Sequence, residues 1–85
     1  MIKNPSPRPT EILSEHNKLM KDIGLKIKNL RIKQGIGYIQ MAEKIGISRN
    51  NYNLMELGKI YFKFSTLLRI LDYYDISTSE FFKDI

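Results

Sequence analysis

One short segment near the middle of the chain carries side chains that can recognise hydrogen-bonding patterns. Residues 49–54 contain one arginine and three asparagines. A guanidinium can donate two hydrogen bonds to the O6 and N7 atoms of guanine, and an asparagine amide can pair in the same way with N6 and N7 of adenine. Asparagine is a poor helix former, so three of them in a short helix indicate a requirement other than stability. The alternative is that these side chains form an ordinary solvated helix face.

Two short helices must position this segment. The first is expected over 38–45, and Ser48 is a suitable N-cap for a second helix over 49–57. Tyr52 and Met55 are three residues apart and share one helix face, which we assign to the core. The opposite face remains exposed, and it consists of Arg49, Asn50, Asn51, Asn53 and Leu54.

The connection between these two helices has the composition of a helix-turn-helix. Such a motif needs a small residue where the helices cross and, four positions later, a residue that tolerates left-handed dihedral angles. Ala42 and Gly46 satisfy these two requirements. The spacing therefore predicts a helix-turn-helix motif over about 38–56. The apolar residues that can pin both helices to the rest of the domain are Met41, Ile45, Ile47, Tyr52 and Met55.

The N-terminal part of the chain divides into an arm and a long helix. Residues 1–9 contain all three prolines, and we expect a disordered arm there. Thr10 is a suitable N-cap for a first helix that runs to about Gln34, so the folded domain covers 10–85. Gly24 costs about 1 kcal/mol inside such a helix. A break near this glycine is the alternative to the continuous helix that we favour.

Two further helices complete the domain. A fourth helix is expected from Ser65, because the apolar positions that follow recur with helical spacing. Ser77 and Glu80 have the sequence of a capping box, which predicts a short fifth helix. No segment has the alternating pattern of a strand. The sequence thus predicts a compact, all-α, five-helix domain whose first helix is extended at its N-terminus.

The charge distribution favours a polyanionic partner. The chain has a net charge of +5. Between positions 26 and 69 lie nine basic and two acidic residues, whereas residues 70–85 contain one basic and four acidic ones. A concentration of positive charge is the expected electrostatic footprint of a nucleic-acid-binding surface. Solvated lysines and a basic helix on a membrane surface are the alternatives.

The motif residues resemble the phage repressor/Cro-like helix-turn-helix (XRE-type) family. The resemblance covers about 23–85, and the residues that carry it are Ile27, Leu30, Arg31, the segments 41–48 and 56–59, Leu67 and Ile70. It implies a repressor-like fold and a small transcriptional regulator that binds specific sequences of double-stranded DNA, with the helix at 49–57 in the major groove. It also implies an ion pair between Arg31 and Glu56, which ties the first helix to the third.

The resemblance assigns roles to individual side chains as well. By family position, Arg49, Asn50 and Leu54 are the foremost candidates for base contacts, and a leucine can pack on a thymine methyl group. Asn51 and Asn53 can reach either bases or phosphates. Phosphate contacts are expected from helix N-termini and nearby lysines, and the candidates are Tyr38, Lys59 and Lys63.

The C-terminus offers a candidate dimer surface. Members of this family commonly bind as dimers, with each subunit on a half-site about one helical turn from the other, so we expect a homodimer. The candidate surface consists of Tyr73, Phe81, Phe82 and Ile85, because exposed apolar residues mark interfaces. The alternative is that the phenylalanines only close the core. The second functional hypothesis is a protein-interaction module, such as an antitoxin or a partner-dependent regulator with weak or lost DNA binding.

The composition argues against several other functions. The chain has no cysteine, which excludes disulfides and thiolate metal sites. His16 is the only histidine, so we expect a solvated side chain and no metal site. No nucleophile–base pair or glycine-rich phosphate loop is found, which argues against an enzyme, a cofactor and a small-molecule substrate. No apolar stretch has the length of a signal peptide or a membrane span, so we expect a cytoplasmic protein of bacterial or phage type without a membrane partner.

Overall fold

The computed structural model describes residues 11–85, which contain five α-helices preceded by a short 3-10 turn at Ser14–His16. No strand occurs within 11–85, so the prediction of an all-α, five-helix fold is confirmed. The arm expected at 1–9 and the Thr10 cap lie outside the described residues. The helices are α1 Asn17–Gln34, α2 Tyr38–Ile45, α3 Arg49–Glu56, α4 Phe64–Tyr74 and α5 Thr78–Phe82.

Local sequence sets the ends of the helices around the turn. Gly46 ends α2 with a φ of 85°, a left-handed conformation that a residue without a Cβ adopts without strain. Ser48 then caps α3, because its hydroxyl accepts a hydrogen bond from the backbone amide of Asn51 at 3.1 Å. Ser77 caps α5 in the same way through the amide of Glu80. As predicted, α2 spans 38–45 and α3 begins at residue 49.

The first α-helix begins later than predicted because a long-range contact holds the chain before it. The Tyr61 hydroxyl accepts a hydrogen bond from the Leu13 amide at 3.2 Å and lies 2.6 Å from Nδ1 of His16. The prediction of a solvated His16 is wrong, since its ring is half-buried and packs edge-to-face on Tyr61. We refer to residues 11–23 as the N-terminal extension.

The continuous course of α1 through Gly24 agrees with the prediction, and this glycine lies where α1 crosses the end of α3. A Cβ at Gly24 would lie less than 3.0 Å from the backbone carbonyl oxygens of Met55 and Glu56. A Cβ at Gly58 would likewise lie 2.7 Å from the Cα atom of Lys21. The two glycines therefore allow the backbone of α1 to touch the end of α3 and the second residue after it.

One core joins the helices and sets the orientation of α2 and α3. Tyr52 and Met55 belong to it, as the helical spacing predicted, and Phe81 of α5 is also buried, with an exposed fraction of 3%. Full burial of an aliphatic or aromatic side chain contributes roughly 1.5–3 kcal/mol. Among the described residues, the largest fully buried side chains are Tyr52, Ile27, Met41, Met55, Leu67 and Ile70.

Candidate nucleic-acid interface

The turn between α2 and α3 is held by its own backbone. The amides of Gly46 and Ile47 both donate to the carbonyl oxygen of Ala42, at 2.8 and 3.1 Å. Ala42 is buried between the helices, so a larger side chain would force them apart. The sharp turn and the Ser48 cap together fix the orientation of α3 relative to α2.

The two faces of α3 differ completely in environment. Tyr52, Met55 and Glu56 point into the protein and have exposed fractions of 0, 1 and 6%. On the opposite face, Arg49, Asn50 and Asn51 are exposed, whereas Asn53 and Leu54 are half-buried. Within 11–85, the side chains of these five outward residues form no hydrogen bond or ion pair. The five predicted base-contacting residues thus lie on one helix, and their polar groups are available to a ligand.

A buried ion pair fixes the end of α3 to α1. The Arg31 Nε donates to Glu56 Oε2 at 2.7 Å and Nη2 donates to Oε1 at 2.9 Å, so the guanidinium and the carboxylate are joined by two parallel bonds. The third nitrogen, Nη1, donates to the carbonyl oxygen of Ile36 at 2.9 Å. The hydrogen bond with Glu56 raises the pKa of Arg31 above its ordinary value. The pair that the family resemblance implies is therefore present, and all three nitrogens of Arg31 are used within the protein.

One buried polar group near this pair was not anticipated from the sequence. The Tyr52 hydroxyl has no hydrogen-bond partner in the part of the chain that the structure describes. Burial, and then the nearby Glu56 carboxylate, raise the pKa of Tyr52 well above its usual range. Sequence patterns identify Tyr52 as a core residue, but they do not show that its hydroxyl group is buried without a hydrogen-bond partner within 11–85.

The three predicted phosphate-contacting residues differ in their exposure to solvent. Lys59 and Lys63 are exposed in the segment between α3 and α4. Tyr38 begins α2, and its ring is half-buried against the core. Here the backbone amide of Gly37 donates to the side-chain oxygen of Gln40 at 3.3 Å, which stabilises the first turn of α2. The two lysines are thus exposed, and Tyr38 is exposed only in part.

Arg69 of α4 has a structural role that the sequence does not indicate. Its Nη1 donates to the carbonyl oxygen of Ile45, the last residue of α2, at 2.6 Å. A cation at the end of a helix satisfies an unpaired carbonyl and interacts favourably with the helix dipole. Arg69 therefore couples α4 to the helix-turn-helix. Its position on the solvent side of α4 gave no signal of this role.

The candidate dimer residues do not form one exposed patch. Phe81 is buried in the core and Phe82 is half-buried, so for Phe81 the core assignment is correct. Tyr73 and Ile85 remain exposed, with fractions of 39 and 41%. Lys26 holds α5 in place, because its ammonium donates to the Phe81 carbonyl oxygen and lies 3.4 Å from the Asp84 carboxylate. Only Tyr73 and Ile85 of the original four are well exposed.

Two other kinds of site are not found in 11–85. These residues contain no group of three or more histidine, cysteine, aspartate or glutamate side chains that could hold a metal ion. None of the helices in this range combines the length and the apolar character needed to cross a lipid bilayer.

Comparison with known proteins gives one family and one fold. A family model described as a helix-turn-helix domain matches residues 24–84. The chain is similar to the restriction-modification controller protein C.AhdI from Aeromonas hydrophila, with a TM-score of 0.70 and 21% identity over 79% of this chain and 97% of that one. It is also similar to a mutant of the restriction-modification controller protein C.Esp1396I, with a TM-score of 0.67 and 21% identity over 78% of this chain and 88% of that one. None of the curated proteins matches the sequence.

Proposed function

The chain belongs to the helix-turn-helix domain family, in its XRE/Cro-like class, and from this premise we propose that it binds specific sequences of double-stranded DNA as a small transcriptional regulator. The family consists of DNA-binding regulators rather than enzymes. Two similar folds are those of controller proteins, which supports a regulatory role. In this proposal, α3 enters the major groove.

The observation that carries the proposal is the outward face of α3. Arg49 and Asn50 stand at the start of the helix, exposed and without partners in the described chain, where they can form bidentate hydrogen bonds with base edges. Asn51 and Asn53 reach bases or phosphates, and Leu54 packs on a thymine methyl group. Because the inner face is fixed by the core and by the ion pair with Arg31, the helix backbone that carries the outer side chains is already in place, which lowers the entropic cost of binding.

Phosphate contacts complete the proposed interface. Lys59 and Lys63 flank the segment that follows α3, and Tyr38 lies at the start of α2. Contacts of this kind set the position of the protein on the duplex but do not select a sequence. Replacing Lys63 should therefore weaken binding to every duplex alike.

The test is selection of bound sites from random duplexes, followed by affinity measurements on the selected sequence and on single-base variants. Arg49→Ala should reduce discrimination at one base pair by about 1–3 kcal/mol, whereas Lys63→Ala should lower affinity equally for all of them. Circular dichroism would show that both variants remain folded. If the wild-type protein bound no duplex at low salt, the proposal would be refuted.

We also propose that the regulator acts as a homodimer. Tyr73 and Ile85 are the exposed candidates for the shared surface, and a two-fold dimer would place two α3 helices on half-sites one helical turn apart. Sedimentation equilibrium is expected to give twice the monomer mass. A monomeric mass at high micromolar concentration, or a selected site without two-fold symmetry, would contradict the dimer.

A further inference from the structure

The N-terminal extension lies against the end of the proposed DNA-binding helix. It precedes residues 24–84, where the family match is found. Its 3-10 turn is hydrogen-bonded to Tyr61, which follows α3 by a few residues. Lys21, one turn before Gly24, touches the backbone at Gly58, because a Cβ there would lie 2.7 Å from the Lys21 Cα atom. The extension is therefore a neighbour of α3 and of the loop after it.

Beside this contact, a shallow cleft of about 620 Å³ is lined by residues of both the extension and the loop. Ile12 and Lys21 line it on one side, and Leu54 and Lys59 line it on the other. Leu54 belongs to the outward face of α3, so the cleft opens beside the base-contacting surface. The extension consequently widens the surface that a duplex would meet.

The charges in the cleft are predominantly positive. Lys21 and Lys59 are both exposed, and neither ammonium forms an ion pair within 11–85. Glu11, which has an interaction of its own, supplies the one carboxylate among the lining residues. By contrast, Lys18 on the same helix is paired with Asp22 at 2.8 Å. Within 11–85, Lys21 is thus a cation without an ion-pair partner, and it lines the same cleft as Lys59 because the backbones of residues 21 and 58 are in contact.

We propose that Lys21 binds a phosphate of the DNA backbone beside the nucleotide that Leu54 contacts, so that the N-terminal extension is part of the DNA interface. This inference rests on the proposed function, since it assumes that α3 lies in the major groove. Side chains that flank a helix in the groove are placed to meet the phosphates along its edge. Family membership does not supply this contact, because Lys21 lies outside the matched residues.

The test is the salt dependence of binding of the full chain to its selected duplex. Each neutralised phosphate adds about 0.9 to the slope of log affinity against log salt, so Lys21→Gln should flatten the slope by about 0.9. Between 50 and 200 mM salt the variant should then lose about three- to fourfold less affinity than the wild type. Lys21→Arg should keep the wild-type slope, because it keeps the charge. Lys83→Gln is the matched control, since Lys83 is an exposed lysine beyond α5, and it should also leave the slope unchanged.

The outcomes separate this inference from the proposed function. If the wild type binds its duplex but Lys21→Gln has the same slope as the wild type and as Lys83→Gln, the phosphate contact is refuted and the proposed function stands. If the wild type binds no duplex, both fail. Circular dichroism checks that Lys21→Gln is folded. A flatter slope for folded Lys21→Gln together with a wild-type slope for Lys21→Arg supports the contact, and an equally flat slope for both variants refutes it.

Discussion

The inner and outer faces of α3 are built from opposite kinds of side chain. Three residues of the inner face are buried, and one of them, Glu56, is held by two hydrogen bonds from Arg31. Arg49, Asn50 and Asn51 on the outer face are exposed, and their side chains form no hydrogen bond or ion pair within 11–85. Under the proposed function, the comparison assigns stability and recognition to different residues of one eight-residue helix. Substitutions on the two faces should therefore have separable effects.

The largest expected effect is on the buried ion pair. Glu56→Gln removes the charge that neutralises Arg31, and breaking a buried pair in this way costs about 3–5 kcal/mol. Urea unfolding should show this loss, and the melting temperature should fall by more than about 10 °C. The effect is large because the side chains of the two partners are only 13 and 3% exposed.

The matched substitution on the outer face is Asn50→Ala. Alanine is the better helix former, so stability should be unchanged or higher by about 0.5 kcal/mol, while affinity for the selected duplex falls. If Asn50→Ala destabilised the fold as much as Glu56→Gln, the two faces would not be separate in function. Equal stability of the wild type and Glu56→Gln would contradict the structural role of the pair.

The next largest effect is expected at the crossing of α1 and α3. Gly24→Ala places a Cβ against the backbone carbonyl oxygens of Met55 and Glu56, and backbone cannot move aside as a flexible side chain can. We expect a loss of about 2–3 kcal/mol, even though alanine favours the helix by about 1 kcal/mol elsewhere. Gly37→Ala is the control, because a Cβ there meets nothing within 4 Å, and its cost should stay below about 1 kcal/mol. Similar melting temperatures for the two variants would mean that the helices are not in close contact at Gly24.

The smallest expected effect concerns the unpartnered hydroxyl on the inner face. Tyr52→Phe removes a buried group without a hydrogen bond, so the free energy of unfolding should rise by up to about 1 kcal/mol at neutral pH. A loss of stability instead would show that the hydroxyl has a partner in solution.

The same tyrosine predicts the response to alkaline pH. The pKa of Tyr52 is raised in the folded protein, whereas an unfolded tyrosine ionises near its ordinary value of 10.0. Its contribution to stability is therefore complete below pH 10 and is lost as the pH rises above it, by up to about 1.4 kcal/mol per pH unit. Burial also raises the pKa of Tyr74, which acts in the same direction. Urea titrations between pH 9 and pH 11 should show a shallower decline for Tyr52→Phe than for the wild type, by about 1.4 kcal/mol over the whole range and almost entirely above pH 10.

The parts of the fold that the sequence predicted are those with local signals. The boundaries of α2 agree because Gly37 and Gly46 enclose it, and the start of α3 agrees because Ser48 is a cap with a short-range partner. The predicted start of the fourth helix at Ser65 is one residue late, since α4 begins at Phe64 after an N-cap, Lys63, that makes no side-chain bond. A cap without a side-chain bond leaves no pattern in the sequence.

The parts that the sequence could not predict depend on residues far apart in the chain. The late start of α1 follows from a hydrogen bond between residues that are 48 positions apart, and the bond from Arg69 to Ile45 spans 24 positions. Helical spacing predicts which face of α3 is turned away from the core, but it gives no binding role to Lys21. This lysine acquires a role only because the extension folds back beside Leu54, and nothing near residue 21 in the sequence indicates this.

The Tyr61 hydroxyl has a consequence for how such a chain can change during evolution. The Tyr61 hydroxyl oxygen accepts a hydrogen bond from the Leu13 amide and is also hydrogen-bonded to His16. Two contacts of the N-terminal extension therefore depend on a single side chain. A tyrosine codon becomes a phenylalanine codon by one nucleotide change, and that change would remove both hydrogen bonds while keeping the ring. A lineage could therefore release or fasten the segment before α1 in one step, while the backbone contact between Lys21 and Gly58 is kept.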